Sequence, residues 1–201
     1  MKKILTFLLC ISVLNTLSAL DSPDPLEQWR AFSLTKDKPV LMKWLKENTG
    51  SIFNKQKDLP PLTVTPPQVY GRAGLFITLI KNNKVRGCFG AFDHSEPDIS
   101  LMLRDYLKGA LSYDPRYKPL ELHELEDTEI IITVASFPEH VESLNKVDIS
   151  RLGVLIECDE SAGTVIVPAE FRTASRLNRN NRSTNCRISS FRAVTIREEH
   201  Q

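Results

Sequence analysis

Two short segments hold residue types whose spacing could support chemistry. In Arg86-Gly87-Cys88-Phe89-Gly90 a guanidinium stands two residues from a thiol. On a β-strand that spacing places both side chains on one face. A cation beside a thiol lowers its pKa and raises the fraction present as nucleophilic thiolate. Cys88 is therefore a candidate nucleophile or redox thiol, with Arg86 stabilising the thiolate or an oxyanion. Gly87 and Gly90 carry no side chain, so a ligand can approach the backbone there closely. The same residues also suit a purely structural role, a small buried cysteine beside a salt-bridged arginine.

Asp93, His94, Glu96 and Asp98 follow directly. His94 has the chemistry of a general base, and the carboxylates that of a cation site. A helix-capping loop uses the same residue types, with Ser95 and Asp98 as caps, and this is the favoured role. Asp114-Pro115-Arg116-Tyr117 reads as a turn in which Arg116 bridges carboxylates, with lining of the Cys88 site as its second role. No metal or cofactor is expected. His123-Glu124 lacks a second histidine four residues after the first, and the cysteines form no Cys-x-x-Cys pair. The sequence has no phosphate loop, nucleophile elbow or dinucleotide fingerprint.

The elements that must position these residues are legible from periodicity. Leu26, Trp29, Phe32, Leu41, Trp44 and Leu45 recur at helical spacing between Asp24 and Lys46, with Asp37 as the expected N-cap of a second helix. Four prolines between Leu59 and Pro67 predict an extended connector. Gly74–Ile80 and Lys84–Phe89 form a predicted hairpin across Asn82-Asn83, a pair suited to a type I′ turn. The simplest register opposes Lys81 to Lys84, Leu79 to Arg86 and Ile77 to Cys88. It puts Phe76, Ile80, Val85 and Phe89 on one face, and Arg86 and Cys88 on the other. A helix is predicted from the Ser95–Asp98 start to Asp114, burying Ile99, Met102, Leu103, Tyr106, Leu107 and Ala110. Strands are predicted at Ile130–Ala135, at Gly153–Cys158 with Thr164–Val167 as a second hairpin, and at Phe191–Ile196.

Composition bounds the rest. The chain has 201 residues, 41% hydrophobic and 25% charged, with a formal net charge of +1. These values suit one globular domain and impose no global demand for a polyanionic partner. Lys2 and Lys3, an apolar run from Ile4 to Leu17 and small residues ending at Ala19 have the layout of a secretory signal peptide. A buried N-terminal helix or a lipoprotein modified at Cys10 fits that layout less well. Cleavage after Ala19 leaves a mature net charge of −1 and three cysteines, Cys88, Cys158 and Cys186. With an odd number, at least one thiol is free or paired between chains. Arg172, Arg176, Arg179, Arg182, Arg187, Arg192 and Arg197 make the C-terminal stretch basic. Only Phe171 and Phe191 interleave them, which weighs against nucleic-acid stacking and for a solvated face.

Three segments together resemble the AMMECR-type domain family. They are Gly74–Leu79 with Arg86-Gly87-Cys88-Phe89-Gly90, Asp114–Leu120 with Glu124-Leu125, and Gly153–Ile156 with Val165–Pro168. The resemblance spans most of Gln68 to Pro168. It implies an α+β domain with an antiparallel sheet, flanking helices and a cleft near the Arg-Gly-Cys strand. The family has no firmly established activity, and many members are intracellular, some alongside Memo-type and radical-SAM proteins. This chain departs from them in its leader, in Ala91 where a threonine is common, and in the arginine-rich stretch after Glu170.

The combined expectation is a leader at 1–19 and a single α+β domain at 20–201, with its motif-bearing core at 68–168 and room for a small second lobe. It would be exported to the periplasm or beyond, with no transmembrane anchor. It would bind a small molecule or protein at a cleft where Gly87, Gly90 and Arg116 join Cys88 and Arg86. The alternative is an enzyme that uses Cys88 as nucleophile or redox thiol.

Overall fold

A computed structural model describes residues 24–56, 60–158, 161–168 and 186–198. The leader at 1–19 lies outside the described residues, as do Arg172, Arg176, Arg179 and Arg182.

Helix α1 (Pro25–Phe32) starts where Asp24 accepts the Leu26 N–H at 2.9 Å, and it buries Leu26, Trp29 and Phe32. Helix α2 (Asp37–Phe53) takes Lys36 as its N-cap, so Asp37 is the first helical residue rather than the expected cap. The Asp37 N–H is met instead by the Thr35 hydroxyl. The helix also runs past Lys46. Asn48 Nδ2 and Thr49 Oγ1 turn inward there and donate to the carbonyls of Trp44 and Leu45, which gives these two buried donors their partners. The Trp44 indole N–H donates to the Pro60 carbonyl at 2.8 Å and pins the proline-rich connector to α2.

Strands β1 (Gly74–Lys81) and β2 (Lys84–Ala91) form the expected hairpin. Asn82 and Asn83 have φ of 51° and 58°, as a type I′ turn requires. Helix α3 (Ile99–Ser112) begins three residues later than its predicted capping box. Asp98 is the cap and accepts from both Ser100 and Leu101 N–H groups, which leaves Ser95 no capping role. Then come β3 (Thr128–Ala135), the short β4 (Glu139–Val141), β5 (Leu152–Cys158), β6 (Ser161–Ile166) and the long β7 (Cys186–Arg197).

All pairings are antiparallel, in the order β2-β1-β3-β7-β5-β6, with β4 also on β7. Strand β7 joins the two halves. Its residues 193–197 pair with β3, and residues 186–192 pair with β5. One face of the β1-β3 region, carrying Leu75, Ile77, Leu79, Ile130, Ile132 and Val134, packs under the three helices as the main core. The opposite face carries a second cluster around Phe76, Ile131, Ala135 and Phe191. Val147, Val154 and Ile156 centre a third, small cluster in the β4–β6 half. Cys158 and Cys186, cross-strand partners on β5 and β7, are joined by a disulfide, and Cys88 lies outside that bond. No helix among the described residues is long and apolar enough to cross a membrane.

Candidate functional site

The Cys88 strand departs from the simplest register through one extra residue. Val85 faces Ile80, but Gly87 faces Leu79, so Arg86 is inserted as a β-bulge. From there the pairing shifts by one. Cys88 faces Thr78 rather than Ile77, and Phe89 faces Ile77. Phe89 therefore leaves the face shared by Phe76 and Ile80 and lies over Gly109 of α3, where an added Cβ would come within 2.3 Å of its ring. Cys88 moves to the face of Phe76, away from the helices. The bulge also separates Arg86 from Cys88, which strict alternation would have set side by side.

Arg86 turns to the segment after α3. Its Nε and Nη2 donate to the two carboxylate oxygens of Glu124, at 3.0 and 2.8 Å. Its Nη1 and Nη2 also reach the carbonyls of Lys118 and Pro119, at 2.7 and 3.3 Å. Lys81 Nζ stands 3.7 Å from the same carboxylate. Hydrogen bonds from Arg86 and from the Glu121 N–H hold the Glu124 carboxyl down at about 2. Gly87 is needed where α3 crosses β2, since a Cβ would meet the Ala110 carbonyl oxygen at 2.1 Å. Gly90 is equally enclosed, with the Leu75 carbonyl oxygen at 2.1 Å from an added Cβ. The close approach expected at both glycines is thus made by the protein's own backbone.

Cys88 is 9% exposed and packs with Phe76, Ile131, Ala135, Val167 and Phe191. The Thr78 hydroxyl donates to its sulfur at 3.3 Å. Its backbone N–H, on the outer side of an edge strand, donates to Asp114 Oδ2 at 2.8 Å. That same carboxylate receives Arg116 through Nη2 at 2.8 Å, Nε at 2.9 Å and the backbone N–H at 3.0 Å. Burial pushes the Asp114 carboxyl up, but the Arg116 bonds and the Cys88 N–H outweigh it and keep the group below its ordinary value. Arg116 also lies over the Tyr117 ring, 5.5 Å from its centroid.

Two sequence segments are therefore one structural unit. Residues 114–124 fold back along the β2 edge, tied by Asp114 to Cys88 and by Lys118, Pro119 and Glu124 to Arg86. A family model for AMMECR1 matches residues 42–189, which takes in this whole unit. The chain belongs to the AMMECR1 family. A Thermotoga maritima protein is 30% identical over 117 residues, spanning 57% of this chain and 67% of its own length. Protein PH0010 of Pyrococcus horikoshii is 26% identical over 157 residues, 72% of each chain. The crystal structure of PH0010, described as an uncharacterized protein, matches the fold with a TM-score of 0.63 at 19% identity, covering 80% of this chain and 90% of that one.

In this AMMECR1 domain the candidate base sits elsewhere. His94 Nε2 is 2.8 Å from the Ala73 carbonyl and Nδ1 is 2.9 Å from the Tyr106 hydroxyl. The neutral tautomer that donates from Nε2 and accepts at Nδ1 satisfies both contacts. Burial lowers the His94 pKa, against weaker opposing effects of Ala73 and Asp93. Thr78 and Glu124 escaped the sequence reading as site residues. A glycine inside the β2 pattern was the available signal for the bulge that brings them in.

Proposed function

We propose that this AMMECR1 domain is an exported binding domain. It recognises an anionic group on a small molecule or protein partner beside the Cys88 strand, through Arg116. The observation that supports this is the double use of Asp114. One buried carboxylate orients the Arg116 guanidinium and grips the Cys88 N–H. A partly exposed arginine is thereby held rigid next to the strand. An arginine fixed in advance meets a carboxylate or phosphate with little further loss of side-chain freedom. Cys88 serves as packing in this reading. The reading is tested by thermal shift against inorganic phosphate, citrate and a short acidic peptide. At least one should stabilise the wild type, Arg116→Lys should lose the effect, and Cys88→Ser should keep it. The reverse ranking of the two variants, or no response to any probe, rejects it.

The Thr78 bond to sulfur favours a second reading, an enzyme with Cys88 as nucleophile or redox thiol, because a hydroxyl donating to sulfur favours thiolate over thiol. Alkylation of Cys88 in the folded protein separates the two. Reaction only on unfolding supports binding. Fast reaction with an apparent pKa well below about 8.5 supports the enzyme.

Export rests on Lys2, Lys3, the apolar run and Ala19, and is supported by the Cys158–Cys186 disulfide, a bond that persists in oxidising compartments. The mass of the protein recovered from its native host should correspond to a chain beginning at Leu20. A chain retaining Met1 in the cytoplasm would overturn export.

A further inference from the structure

A second place for a ligand lies on the helical face of the sheet, away from Arg116. A cavity of about 110 Å³ opens between α2, the end of α3 and the neighbouring ends of β1 and β3. Leu79, Leu111, Leu125 and Ile130 make it apolar. An apolar cavity of about 150 Å³ takes up benzene, so this slightly smaller one suits a ring whose substituent stays at the mouth.

The polar groups say what that substituent should be. Thr49 and Thr128 line the cavity, and their hydroxyls donate to the carbonyls of Leu45 and Glu124, at 2.9 and 2.7 Å. With the hydrogens engaged, each oxygen has only lone pairs left for a ligand. Lys46 and Glu126 stand at the exposed rim. Lys46 is drawn toward Glu198, 3.8 Å away, whereas Glu126 has no cation within ion-pair distance among the described residues. The rim thus presents acceptors and one uncompensated carboxylate.

We infer that this cavity binds a small primary amine with a ring-sized apolar body, the ring in the pit and the ammonium at Glu126. The site shares no residue with the Asp114–Arg116 unit, so the two stand or fall separately.

The test is a titration of the folded, 15N-labelled chain with benzylamine and, separately, benzoate, followed by amide chemical shifts. Benzylamine should give saturable shifts centred on Thr49, Leu125, Glu126 and Thr128, and benzoate should bind more weakly. Glu126→Gln, at an exposed position, should leave the fold intact and weaken benzylamine several-fold. Leu125→Trp should fill the pit and abolish binding of both. The inference is overturned by an absence of saturable shifts, by shifts centred elsewhere, by benzoate binding as tightly as benzylamine, or by Glu126→Gln binding benzylamine like the wild type.

Discussion

Arg86 and Cys88 stand two residues apart and serve different neighbours. Arg86 makes four hydrogen bonds to the 118–124 segment, two of them to one nearly buried carboxylate. Glu124→Gln keeps the shape and removes the charge, and should cost about 2 kcal/mol in urea denaturation, the range for hydrogen bonds to charged groups. The Glu124 carboxyl is held at about 2 against an ordinary 4.5. Its contribution is fully present above 4.5 and is lost as pH falls from there toward 2. The variant should therefore lose less stability than the wild type across that window. Asp114, also held low, adds acid sensitivity of the same sign in both proteins. Gly87→Ala would push a methyl group into the Ala110 carbonyl, and should destabilise by about 1–3 kcal/mol through overpacking.

At the scale of elements, the site depends on how α3 meets β2. The helix comes close because Gly87 and Gly109 lack side chains at the crossing, one admitting the Ala110 carbonyl and the other the Phe89 ring. Asp98 sets where the helix starts. Asp98→Ala leaves two N–H groups without their acceptor and should cost about 1 kcal/mol, measurable as a lower thermal midpoint. The segment after the helix then covers the β2 edge, with Asp114 satisfying an N–H that an edge strand would otherwise offer to another chain. His94 ties the β2–α3 connection to Tyr106 and to the Ala73 carbonyl before β1. Its pKa is lowered by burial. Above 6.5 the ring is neutral whether folded or unfolded; below it, protonation favours the unfolded chain. Stability should fall as pH drops below 6.5, and His94→Gln should blunt that fall.

For the whole molecule, the disulfide spans 28 residues between β5 and β7. In the chain-entropy account, closing a loop of that size is worth about 3–4 kcal/mol, so reduction should lower the denaturation midpoint by a matching amount. Local rules were enough for much of this chain. Residue periodicity determined the helices, the main strands and the Asn82-Asn83 turn, because apolar spacing and positive-φ preference act within a few residues. The motifs also pointed to the AMMECR-type family and its α+β class. What the sequence left open came from contacts distant along the chain. It did not choose which cysteines pair; that followed when β7 brought Cys186 opposite Cys158. It did not show the bulge at Arg86, because the inserted residue breaks the alternation and its side chain is held by a partner outside the strand. Here that partner is Glu124, 38 residues away. It left Asp114 a turn residue, since its bond to Cys88 exists only once α3 has packed on the sheet. Short-range preferences thus determined the elements, while long-range packing decided which side chains meet at the site.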